Sequence, residues 1–217
     1  MQLSPPPDIS SIVFDLDGTL YVSPSFAAAI SDQAAAYISG LRGTSKEEAH
    51  SLMAETREKI TRERESDQTL SAVCAELGGD IRDLHRSFEE RLNPEVHLLR
   101  DQRVIDLLGR LKEHFRLYIY TNNNRALTTR ILHYLGLNGM FIRIFTIDDT
   151  WRAKPDEIIL GQVLADAGKT AAEVLFVGDR YDVDLSLPEM KGCPVFLTRS
   201  VEQLLRLEEL IATPIST

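Results

Sequence analysis

Apolar residues fall along this chain in two rhythms, and the rhythm changes twice. Ser11-Ile12-Val13-Phe14 is a short apolar run ending at Asp15, the form of a strand buried on both faces of a parallel sheet. From about Ser25 to Leu92 the strand rhythm disappears. Phe26, Ile30, Ala34, Tyr37, Ile38 and Leu41 recur at helical spacing and predict an amphipathic helix. Leu52, Met53, Thr56 and Ile60 predict a second, with Glu and Arg crowding its other face. Leu70, Val73, Cys74 and Leu77 predict a third, stopped by Gly78-Gly79. Ile81, Leu84, Phe88 and Leu92 predict a fourth, ending near Pro94.

After Arg100 strands and helices alternate. Val104, Leu107, Leu108 and Leu111 form a helical stripe, and Leu117-Tyr118-Ile119-Tyr120 is a strand ending at Thr121. Leu127, Ile131, Leu132 and Leu135 predict a helix closed by Gly136. Ile142 to Ile147 reads as a strand, and the next helix is expected to carry Pro155 at its first position. Val174 to Val177 is a strand ending at Gly178-Asp179, Val195 to Leu197 is another, and a last helix is expected from Val201 to Ile211. Such alternation implies an α/β fold, a Rossmann-like parallel sheet flanked by helices and closed by right-handed crossovers. The expected organisation is a core made of residues 1–22 and 96–217 with an all-helical insert over 23–95. The linkers are placed near Val22–Pro24 and Asn93–Leu99, and Pro5-Pro6-Pro7 forms an extended lead-in.

Composition narrows the classes. A formal net charge of -9 argues against non-specific binding to nucleic acid or an anionic membrane surface. A phosphate substrate remains compatible, because one cation and one lysine can dominate a local field. Cys74 and Cys193 share no metal or redox spacing and are read as reduced thiols of a cytoplasmic protein. Met1 to Ser11 lacks the features of a secretory signal, and no apolar run is long enough to span a bilayer. Nothing in the composition speaks to oligomeric state.

Three predicted strands end in polar residues: Asp15, Thr121 and Gly178-Asp179. Open parallel sheets bind ligands outside the carboxyl ends of their strands, so these side chains are expected in one crevice. In Asp15-Leu16-Asp17-Gly18-Thr19-Leu20, a carboxylate at a strand end can attack phosphorus. Two carboxylates so close call for a hard divalent cation or a shared proton. A lone Asp-x-Asp is normally a solvated turn; the apolar strand before it and Gly-Thr-Leu after it favour chemistry.

Val13 to Leu20 resembles the first signature of the haloacid dehalogenase (HAD) superfamily. Ile119 to Asn122, Lys154-Pro155 and Val177 to Asp184 resemble its second, third and fourth, in that order. The resemblance implies Asp15 as nucleophile and magnesium ligand, and Asp17 as general acid then base with its carbonyl on the metal. It implies that Thr121 and the Asn122 backbone N–H hold phosphate oxygens and that Lys154 neutralises charge. Asp179 binds Mg2+ in this scheme, and Asp184 supports the metal; Asp182 is left without a definite role. The helical insert resembles a type I cap, a lid that selects substrates. The implied function is a magnesium-dependent phosphatase acting on a small-molecule phosphate ester through an aspartyl phosphate. Asp17 argues against dehalogenase chemistry, and the pattern is most similar to the phosphoglycolate phosphatase and pyrimidine nucleotidase branch. A phosphomutase with the same chemistry and a non-catalytic module are the alternatives. All five histidines are read as structural or surface, and Trp151 and Arg152 as loop packing more than substrate contacts.

Overall fold

A computed structural model describes residues 9–167 and 170–211 of the chain; the Pro5-Pro6-Pro7 lead-in lies outside the described residues. Five strands form one sheet: β1 (Ser11–Phe14), β2 (Arg116–Tyr120), β3 (Arg143–Phe145), β4 (Val174–Gly178) and β5 (Val195–Leu197). Their spatial order is β3-β2-β1-β4-β5, with every pairing parallel. β1 is central: Phe14 pairs Ile119 of β2 on one side and Val177 of β4 on the other. Progress outward from β1 reverses between β3 and β4, so the switch point lies beside β1.

Side chains alternate across this sheet with the two-residue period of a strand. Ile12, Phe14, Leu117, Ile119, Leu175 and Val177 face one apolar cluster. Val13, Tyr118, Tyr120, Phe145, Val174 and Phe176 face the other. Both faces are therefore dry, which explains why the strands read as unbroken apolar runs.

Between β1 and β2 run α1 (Pro24–Arg42), α2 (Lys46–Arg64), α3 (Leu70–Glu76) and α4 (Ile81–Arg91). Ser23 starts α1 by accepting the Phe26 N–H, and Ser45 with Glu48 closes a full capping box on α2. Asp80 caps α4 through the N–H groups of Arg82 and Asp83. The short α5 (Pro94–His97) leads back to the sheet. Ser23 Oγ also donates to the His97 carbonyl at 2.9 Å, tying the outgoing connection to the returning one. The helices α6 (Gln102–His114) and α7 (Arg125–Leu135) cover the first face of the sheet, and α8 (Glu157–Ala167) and α9 (Ser186–Met190) the second.

Three elements differ from expectation. The third strand stops at Phe145, because Thr146 N–H turns to the Asp149 carboxylate at 2.7 Å and starts a 3-10 turn, Ile147–Asp149. Pro155 is not the first residue of the following helix. Asp156 caps it instead, its Oδ1 accepting the N–H groups of Ile158 and Ile159. The last predicted helix is two short ones, α10 (Val201–Leu204) and α11 (Leu207–Ile211). At Arg206 the N–H bonds three residues back, to Gln203, which tightens the chain and breaks the run. Among the described residues no helix is long and apolar enough to cross a membrane.

Candidate active site

The carboxyl ends of β1, β2 and β4 bring the expected side chains to one place. Asp15 follows β1 and lies 7% exposed. Lys154, 2% exposed, reaches it from the loop before α8: Nζ stands 2.6 Å from Asp15 Oδ1, 2.6 Å from Asp184 Oδ1 and 2.9 Å from the Tyr120 carbonyl. The contacts to Asp15 and to the Tyr120 carbonyl are hydrogen bonds, and the one to Asp184 is an ion pair. Thr19 Oγ1 donates to the other Asp15 oxygen at 3.3 Å.

Burial pushes the Asp15 carboxyl up to about 7, against the pull of the Lys154 charge. Asp179 is pushed up to about 6, first by burial and then by Asp184. Burial disfavours the Lys154 cation, yet Asp15 and Asp184 outweigh it and hold the ammonium above its ordinary value. One buried cation therefore serves several buried acids.

Asp15, Asp179 and Asp184 each place a carboxylate oxygen within 4.8 Å of the others. Asp179 Oδ1 is buried with no hydrogen-bond partner; the closest cation is Arg180 Nε, 3.9 Å away. Converging oxygens from three acids, with Asp179 Oδ1 lacking a hydrogen-bond partner and the pKa values of Asp15 and Asp179 raised, fit a hard divalent cation. The backbone is shaped around the group. Gly18 has φ +86°, and a Cβ there would stand 2.4 Å from Asp179 Oδ2. A Cβ on Gly178 would stand 2.5 Å from that of Asp184. Asp184 is fixed in turn by the Arg180 N–H on its Oδ2 at 3.1 Å.

Asp17 stands outside that triad. Its Oδ1 accepts the Tyr21 hydroxyl, and its Oδ2 accepts Asn123 Nδ2 at 2.6 Å. Burial raises the Asp17 pKa, and the hydrogen bonds from Tyr21 and Asn123 pull back against it. Thr121 is buried and accepts the Asn123 N–H at 3.1 Å. Asn122 contributes a further contact: its Oδ1 accepts the Lys154 N–H at 2.7 Å, anchoring the loop that delivers the lysine. Sequence reasoning missed Tyr21, Asn123 and Thr19. Tyr21 lies four residues beyond Asp17, and the Asn122-Asn123-Asn124 run was the readable sign of a polar turn at a strand end. Asn124 caps α7 and also donates to the His85 carbonyl of α4 at 2.7 Å. Trp151 packs with the inserted helices, its ring 6.5 Å from that of His85 and under the Arg82 guanidinium at 5.5 Å.

The site thus sits on a Rossmann-like core whose strand ends gather acids around one lysine. This chain belongs to the haloacid dehalogenase-like hydrolases, whose sequence profile matches residues 9–187. A phosphoglycolate phosphatase of Photorhabdus laumondii is 27% identical over 186 residues, covering 86% of this chain and 78% of that protein. Among solved structures, a HAD phosphatase from Thermococcus onnurineus has a TM-score of 0.66 at 19% identity, covering 94% of this chain and 98% of the other. The HAD-hydrolase YfnB from Bacillus subtilis, solved bound to magnesium, has a TM-score of 0.58 at 21% identity, covering 94% and 99%.

Proposed function

We propose that this hydrolase is a magnesium-dependent phosphatase that cleaves a small-molecule phosphomonoester by way of an aspartyl phosphate on Asp15. The observation that carries the reading is the buried contact of Lys154 with Asp15 and Asp184, beside a second acid, Asp17, held apart on Tyr21 and Asn123. Two carboxyls two residues apart thus have different surroundings, which is how one site runs nucleophilic and acid–base chemistry together. The resemblance to a phosphoglycolate phosphatase supports a small phosphate ester as the substrate class.

In the first step an Asp15 oxygen attacks phosphorus while Asp17 gives its proton to the departing alkoxide. Asp17, now ionised, takes a proton from water, and that water hydrolyses the aspartyl phosphate and frees Asp15. Thr121 Oγ1 and the Asn122 N–H orient the phosphoryl oxygens, and Lys154 offsets their charge. Magnesium, held by Asp15, Asp179, Asp184 and the Asp17 carbonyl, supplies further charge stabilisation when bound. The inserted helices, residues 23–95, act as a cap that excludes bulk water. A cytoplasmic setting fits the two reduced cysteines, both buried.

The test is phosphate release from p-nitrophenyl phosphate, with magnesium and with excess EDTA. Wild type is expected to turn over only with metal, and Asp15→Asn to lose at least a thousandfold in kcat, on the order of the loss of a nucleophile. Undiminished turnover in Asp15→Asn rejects the mechanism.

A further inference from the structure

The turn after Asp179 carries two aspartates that face in different directions. Tyr181–Leu185 is a single π-type turn, a form common at functional sites. Asp184 goes inward, to Lys154 at 2.6 Å. Asp182 goes outward and accepts the backbone N–H of Asp67 at 3.0 Å, across 115 residues of sequence. Asp67 lies in the connection between α2 and α3, so the bond joins the inserted helices to the turn that bears Asp184. Beside it opens a cavity of about 500 Å3, lined by Asp67, Asp179, Arg180, Asp182 and Arg199 among others. The insertion meets the sheet domain again at Trp151, whose ring lies against His85 and under Arg82.

We infer that Asp182 is a positioning residue: its bond to the Asp67 N–H latches the inserted helices onto the metal-binding turn and closes that wall of the site. The inference rests on the reading of the insertion as a cap. The bond is specific to an acceptor oxygen at residue 182 and not to its charge, because its donor is a neutral peptide group. An Asp182→Asn side chain keeps an oxygen that can accept it, and Asp182→Ala does not. Closure held by such a bond acts on substrate retention more than on the chemical step.

Trp151 is the protein's single tryptophan and sits at a second contact between insertion and sheet domain, so its emission reports the seam without substrate. The experiment records Trp151 emission, with and without magnesium, and kcat and KM for p-nitrophenyl phosphate. It compares wild type, Asp182→Ala, Asp182→Asn and Asp67→Pro, which removes the donor from the other side. Asp182→Ala and Asp67→Pro are expected to red-shift the emission and to raise KM roughly fivefold with little change in kcat, the scale of one net hydrogen bond. Combined, they are expected to add nothing to either alone. Asp182→Asn is expected to match wild type. The latch is overturned if Asp182→Ala leaves emission and KM unmoved, or if Asp182→Asn behaves like Asp182→Ala. A shifted emission in a protein that releases no phosphate rejects the phosphatase reading and leaves the latch standing.

Discussion

Removing the Lys154 ammonium leaves Asp15 and Asp184 buried without the cation that faces both. Lys154→Met is therefore expected to abolish turnover and to destabilise the metal-free protein by about 3–5 kcal/mol, the range for breaking a buried ion pair. Urea unfolding in EDTA measures this, and magnesium is expected to recover part of the loss, since it supplies positive charge to the same acids. A midpoint unchanged in EDTA contradicts the role assigned to the lysine. Tyr21→Phe removes one of two donors to Asp17 while leaving the ring in place. Its kcat is expected to fall about tenfold, as for one hydrogen bond to a charged group, with KM little changed. Equal activity in the two proteins means that Asn123 alone orients Asp17.

At the scale of elements, α4 carries a pH dependence of its own. His85 is 2% exposed, bonds Ser71 Oγ at 3.1 Å and packs against Phe88 and Trp151. Burial pushes its pKa down to about 4, below the unfolded value of 6.5. The neutral ring is favoured in the fold, so its contribution is present above pH 6.5 and lost as pH falls toward 4. The difference in unfolding free energy between wild type and His85→Gln is expected to shrink by about 3 kcal/mol between pH 7.5 and pH 4. A difference constant with pH shows that His85 is not buried neutral.

The element pattern also shows where sequence is readable. β1, β2 and β4 announce themselves because both faces are dry, and α1 and α2 because serines cap them. Asp15, Thr121 and Asp179 were placeable because each follows such a strand. The end of β3 was not readable, since Thr146 is as suited to a strand as to the cap it forms. Nor was the break before Leu207: Leu204 and Leu207 are both buried and three apart, so the helical spacing runs on across a turn without Gly or Pro. Asp182 was opaque for another reason, because its partner is a backbone N–H that leaves no mark in composition.

For the whole molecule, a chain of net charge -9 concentrates three of its acids at a candidate cation site and raises the pKa of two of them. In the metal-free protein the raised values of Asp15 and Asp179 lie above those of the unfolded chain. Their stabilising effect is present at low pH and lost as pH rises through about 7, opposite in sign to His85, which is why His85 is read by difference. On the proposed reading magnesium needs the ionised carboxylates, so its binding would compete with protons. Affinity is expected to be roughly tenfold weaker at pH 6 than at pH 8, with protons released on binding. Titration calorimetry in two buffers of different ionisation enthalpy measures both. A pH-independent affinity shows that these acids are not the ligands.

The central place of β1 has a consequence in time. Asp15 emerges early in synthesis, but the strand that carries it is flanked by segments made about a hundred residues later and more. Asp184 follows Asp15 by 169 positions (184 − 15), which at about 5–20 residues per second means a wait on the order of ten to thirty seconds. Throughout that interval the nascent chain carries Asp15 without the full set of acids it meets in the folded protein. On the proposed mechanism, ribosome-bound fragments lacking β4 are expected to be inert toward phosphate esters, with activity arriving only with the last third of the chain.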